Sequence, residues 1–261
     1  MGEQGTRVHA RRAGALLPES RDPIAQRVLD SAREVLAQQP GAAVTLDEVI
    51  SAARVEPAGA RRLWSSDQDL MVGLIARDLL EASRRVSRAL REDPGRARPD
   101  RLCLHLVESL RSRVLVCALQ RADGDLLGDA VDDPRTVQLT RQLMPVGLVA
   151  EMVGIWREHG LVCLVCEADH QAFSLQCLLR GFMDPLMAGV PLHGSHARDD
   201  IATETFASAV DRVLGRGPAS DGPTRDRSDR DAEAESLAAA SADVRRLLAE
   251  RTASVHSLLG L

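Results

Sequence analysis

"LDEVISAARVEPAGARRLW", residues 46–64, is the stretch whose reading decides the fold. Thr45 just before it and Glu48 inside it have the spacing of a capping box, which predicts a helix over 46–53. Pro57 suits the first turn of a second helix, predicted to run to about Trp64. Between them stand only Arg54, Val55 and Glu56. A helix, a tight turn and a second helix form the layout with which proteins set a helix into a DNA groove. This turn carries Arg54 and Glu56 where such turns favour Gly and Ser.

Upstream, Asp22 can cap and Pro23 can open a helix whose apolar face is Ile24, Val28, Ala32, Val35 and Leu36, stopped by Pro40 and Gly41. Downstream, Ser66 with Asp69 starts a helix that reaches about Arg91, and "EDPGRARPD" breaks the chain. Further helices are predicted over 100–120, 135–158, 170–188 and 198–214. Pro145 predicts a kink or split in the second of these, and Asp169 can cap the third. Strand signals are almost absent. Aromatic residues make up 2% of the 261 and there is no Tyr, so the core must come from Leu, Val, Ala and Met, which favours helix packed on helix. The expected class is all-α, with a three-helix head and a helical body. The expected division is an Arg-bearing arm over 1–21, a head over 22–66, a body over 67–215, a polar linker over 216–231 and an amphipathic tail helix over 232–261. The tail's stripe of Leu237, Val244, Leu248, Val255 and Leu258, with Leu247 beside it, is expected to pack on the chain's own body or its dimer.

Net charge is −5, so overall charge does not advertise nucleic-acid binding. Its distribution is more telling. Through residue 91 there are 14 arginines against 12 carboxylates, and afterwards 19 against 26. A mildly basic front suits contact with phosphate. The five cysteines lie in apolar stretches behind no secretory signal, and no run of about 18 apolar residues occurs. A reducing, cytoplasmic setting without a membrane span is the expectation.

The run from Val28 to Leu74 resembles the DNA-binding domain of the tetracycline-repressor (TetR) family, without gaps. Thr45, Glu48, Val49, Val55, Pro57, Arg62 and Leu70 fit the family pattern, and Trp64 stands where Phe is usual. The resemblance implies a three-helix DNA-binding head with a helix-turn-helix and a helical body that dimerises and binds an inducer. It also implies a palindromic double-stranded DNA operator, an unidentified small-molecule effector, a homodimer and a repressor relieved by that ligand. It places Thr45, Arg54, Glu56, Ala58, Gly59, Arg61 and Arg62 at the DNA, with Arg11 and Arg12 of the arm adding to the grip. Several positions depart from the family. Arg54 replaces the turn Gly, at a cost of about 1 kcal/mol if its backbone is left-handed. Glu56 replaces a capping Ser or Thr, Gly59 a hydroxyl residue that touches phosphate, Ala60 a core Leu, Arg61 a Tyr and Asp67 a Lys. The alternative is a TetR-like protein that has lost DNA binding and acts through protein contacts.

Leu106, Leu110, Val114, Met144, Met152, Trp156, Phe173 and Phe182 are the candidates to line an inducer cavity, although such side chains at helical spacing also serve as plain core. Cys163, Cys166 and His170 have metal-like spacing, with Cys177 and His159 the only nearby candidates for a fourth ligand, and buried thiols are the simpler reading. His193 and His196 read as a solvated loop. Glu167, Asp169 and His170 read as capping and exposed groups. No P-loop, GxSxG or dinucleotide fingerprint occurs, so neither an enzyme nor a cofactor is expected.

Overall fold

A computed structural model of the chain describes residues 22–38, 43–188, 199–215 and 227–258. The fold is all-α. Twelve α-helices succeed one another among the described residues: α1 Pro23–Gln38, α2 Leu46–Ala53, α3 Pro57–Leu63, α4 Asp67–Glu92, α5 Pro99–Arg111, α6 Val114–Gln120, α7 Gly124–Leu127, α8 Pro134–Leu143, α9 Pro145–Glu158, α10 Ala168–Ala188, α11 Asp199–Leu214 and α12 Arg227–Leu258. Short 3₁₀ turns cover Pro94–Ala97 and Gly128–Val131. No described helix is long and apolar enough to cross a membrane.

Pro145 splits the helix predicted over 135–158, because its ring cannot continue α8 and instead opens α9. The helix predicted over 100–120 also divides. Ser112 ends α5 and Arg113 stands in extended backbone before α6. The expected linker is shorter than its composition suggests, since α12 begins at Arg227. Asp229 in its first turn suits the positive end of the helix dipole.

Two compact units make up the chain. The first holds the described residues up to Glu81, with Arg113–Gln142 and the end of α12 from Thr252. It is larger than the predicted 22–66 head. In it α1 packs on α2 and α3, and Val28, Leu29, Ala32, Val49, Ala60, Trp64, Leu70 and Ile75 form a core of aliphatic side chains closed by one indole. Charges bind its elements as well. Asp78, 7% exposed, and Glu81 receive Arg33 from α1 and Arg113 from the α5–α6 link at 2.6–3.2 Å. Burial pushes the Glu81 carboxyl up, but the hydrogen bonds and charges of Arg33 and Arg113 outweigh it and hold it below its ordinary range.

The second unit holds Ala82–Ser112 and Leu143–Arg251. There α5 lies against α11 and α10 packs on both α9 and α11. Trp156, fully buried, donates its indole N–H to the Ala97 carbonyl at 2.9 Å. The tail helix as far as Arg251 is part of this unit. Ser241 donates to the Leu90 carbonyl at 2.8 Å, His159 and Asp243 meet at 2.8 Å, and Arg251 pairs with Glu151. Ala240, Val244, Leu247 and Leu248 are buried beside them.

Candidate nucleic-acid interface

The site is built on α2, the turn and α3. Thr45 caps α2: its hydroxyl accepts from the Glu48 amide at 3.3 Å, and the Glu48 carboxylate accepts from the Thr45 amide at 3.0 Å and hydroxyl at 2.9 Å. The Thr45 amide bond, followed by the hydroxyl bond, holds the Glu48 carboxyl below its ordinary value. Thr45 is thus occupied in starting α2. A second support comes from outside the motif. Asp67, at the start of α4, accepts the Leu46 amide at 2.7 Å. Its place in the resemblance belongs to a phosphate-facing Lys, but here the carboxylate fastens α2 to α4.

The turn has the shape the departures put at stake. Arg54 closes α2 at φ 51° and ψ 44°, the left-handed region, with its amide bonded back to the Ile50 and Ser51 carbonyls. Glu56 precedes α3 in extended backbone and makes no side-chain cap. Val55 between them is buried, as are Ala60 and Trp64. The tight turn therefore survives without Gly or Ser because its apolar residues are anchored below it.

The resulting surface of α3 exposes Ala58, Arg61 and Arg62, beside exposed Arg54 and Glu56. Gly59 is not on that surface. It is buried, and a Cβ there would lie 3.2 Å from Cδ1 of Ile24, so the position meets α1 and cannot serve as a phosphate contact. Arg61 is exposed but pairs with Asp47 at 2.5 Å. Arg54 and Arg62 make no ion pair with a described residue. Three carboxylates, Asp47, Glu48 and Glu56, are exposed around the three arginines. Arg11 and Arg12 lie outside the described residues.

No protein-family model, no curated protein and no solved structure matches this chain.

The cavity residues are divided by the fold. Leu106, Leu110, Met144, Met152 and Trp156 are buried in the second unit. Phe182 is half-buried and leans on Phe206 with ring centroids 5.2 Å apart. Val114 and Phe173 leave the set, at 53% and 67% exposed. Val114 opens α6 in the first unit, and Phe173 lies on the opposite side of α10 from buried Leu175 and Leu179. An enclosed space among the described residues, about 10 Å³ lined by Arg98, Asp100, Asp211 and Glu233, has room for one water and no more.

The cysteine reading also changes. Cys166 is exposed and Cys163 half-buried, because the chain bends to the surface after Val162. Glu167, Asp169 and His170 are exposed, and Asp169 lies in the first turn of α10 rather than at its cap. His193 and His196 fall outside the described residues. Sequence reasoning missed a grouping of Glu158, His159 and Asp243, whose ligand atoms all lie within 4.8 Å. Its members are 84 residues apart across His159 and Asp243, so no spacing rule brings them together. Arg246 also holds Asp243, at 2.6 Å.

Proposed function

We propose that this chain is a TetR-like, DNA-binding transcriptional regulator of the cytoplasm, a homodimeric repressor relieved by a small ligand. The observation that carries the reading is the face of α3. One side is buried through Gly59 and Ala60, while Ala58, Arg61 and Arg62 stay in solvent on a helix held by a three-residue turn. A short helix so presented fits the major groove with its N-terminal end leading. Arg62 and Arg54 then supply guanidinium donors to phosphate, and Arg61 exchanges Asp47 for the same partner.

One observation favours a second reading, in which a TetR-like fold has given up DNA and works through protein contacts. Asp47, Glu48 and Glu56 match the exposed arginines charge for charge, so the surface has no net attraction for phosphate.

Salt separates the two. Titrated against DNA from its own promoter region, a true reader loses affinity linearly in log salt concentration. Changing Arg61 and Arg62 together to Ala should weaken binding on all sequences. It should also lower the slope by about 2, roughly 0.9 for each phosphate that is no longer neutralised. A parent protein that binds no duplex even at low salt decides for the second reading.

A further inference from the structure

Two carboxylates and an imidazole converge where α9 ends beside α12. Glu158 is the last residue of α9 and His159 is its cap. Asp243 belongs to α12, 84 residues beyond His159. One ligand atom of each lies within 4.8 Å of the others. The elements that carry them are firmly seated. Trp156, just before Glu158, is fully buried, and Val244 and Leu248 are buried beside Asp243. His159 Nε2 meets Asp243 Oδ2 at 2.8 Å, while Arg246 donates to Asp243 Oδ1 at 2.6 Å. Asp243 is thereby held with Oδ2 turned to the imidazole.

These bonds leave Glu158 unexplained. It is exposed and makes no hydrogen bond or ion pair with a described residue. Arg157 beside it turns its guanidinium instead to the carbonyls of Cys163 and Cys166 and to Gln171. Two carboxylates this close repel each other, and Arg246 offsets only one of the two charges. The C-terminal end of α9 adds its partial negative charge. The cluster therefore lacks positive charge between its three ligand atoms. The Cys163, Cys166 and His170 spacing, by contrast, brings together no such group among the described residues.

We infer that Glu158, His159 and Asp243 hold a divalent transition-metal ion, Zn²⁺, which ties the end of α9 to α12. An imidazole nitrogen with two carboxylate oxygens suits zinc, whereas calcium and magnesium call for oxygen alone and more of it. Three protein ligands and a water complete a tetrahedron. With bonds of about 2.0–2.2 Å, the ligand atoms of a tetrahedron stand roughly 3.3–3.6 Å apart. The His159–Asp243 pair opens by roughly 0.5 Å to reach this, and the widest pair closes by little more than about 1 Å, which side-chain rotation supplies. His159 takes the tautomer with its proton on Nδ1, so that the Nε2 lone pair faces the ion. Arg246 stays on Oδ1 as the outer partner that orients the Asp243 carboxylate.

The site is tested by titrating zinc chloride calorimetrically into the chelator-treated full chain carrying Cys163→Ser, Cys166→Ser and Cys177→Ser. These changes remove the thiols that are not deeply buried as competing ligands. One ion should bind per chain. Glu158→Gln and His159→Ala should each raise the zinc dissociation constant by more than about 100-fold, beyond what the loss of an outer partner does. Glu158 is exposed and unpaired, so Glu158→Gln should melt like the parent in the presence of chelator. Hydrogen exchange gives a second readout. Zinc should slow exchange of the α12 amides around Asp243 in the parent and not in Glu158→Gln. A parent that takes up no zinc overturns the inference. Uptake that neither substitution weakens shows an adventitious ion only, and overturns it equally. Duplex binding involves none of the three residues, so failure here leaves the regulator reading untouched, and a zinc-binding chain that ignores DNA keeps the site and loses that reading alone.

Discussion

Arg54 holds a backbone that glycine adopts freely and other residues adopt at a cost of about 1 kcal/mol. Its side chain is exposed and makes no ion pair with a described residue, so little offsets that strain. Arg54→Gly should stabilise the protein by about 0.5–1 kcal/mol. A urea midpoint that falls instead of rising counts against the account. Trp64 is the opposite case. It is fully buried and its indole N–H has no acceptor, so its worth is volume and not polarity. Trp64→Ala should cost about 3–5 kcal/mol in denaturant unfolding, as aromatic truncations in cores do. A loss below about 1 kcal/mol would mean that the surrounding core collapses to fill the space. Val55 inside the turn and Trp64 at the end of α3 stood out in the sequence as apolar positions of the helix, turn and helix pattern. The burial of Gly59 was not, since nothing local shows that Ile24 of another helix comes within 3.2 Å of where a Cβ would stand.

Helices start where caps and tertiary carboxylates agree. The Thr45–Glu48 box was visible as a spacing, whereas Asp67 reaches the Leu46 amide across 21 residues and could be found only in three dimensions. Elsewhere in the first unit, Arg135 of α8 joins Asp69 of α4 at 2.9 Å and Asp133 at 2.7 Å. Burial raises both carboxyls. For Asp69 the hydrogen bonds from Ser65 and Arg135 outweigh it, and for Asp133 those from Arg135 do, so both titrate below the ordinary aspartate value of 3.8 when folded. The unfolded chain therefore takes up protons first as pH falls. The stabilisation is fully present above about pH 5, and is lost as pH drops through 3.8 and then through the lower folded values. Arg135→Gln should flatten the pH dependence of stability in that acid range and leave the slope near neutrality unchanged. An acid limb identical to the parent's in thermal melts from about pH 2 to 5 would rule this out.

For the whole molecule, the tail helix is the informative case. Its first turns are polar and its mean composition is unremarkable, yet Val244, Leu247 and Leu248 are buried and Ser241 holds the Leu90 carbonyl. As far as Arg251 it is built into the second unit, and it is not a free appendage. Leu248→Ala should cost about 2–5 kcal/mol, the range of buried leucine truncations. Unchanged thermal stability of that variant would show that α12 detaches without consequence.

The sequence by itself determined the all-α class, because helical spacing, a near absence of aromatic residues and well-placed Pro and Gly residues all act locally along the chain. It also determined the tight turn at 54–56 and the break at Pro145, since capping and proline sterics involve only neighbours a few residues apart. Tertiary structure alone decided which faces those helices show. It buried Gly59, diverted Asp67 to a cap, engaged Arg61 with Asp47, and left Phe173, Leu164 and Val165 in solvent. The reason is physical. A helix's period tells which residues share a face, but what that face meets depends on partners distant in sequence, and one polar or apolar side chain fits several of them.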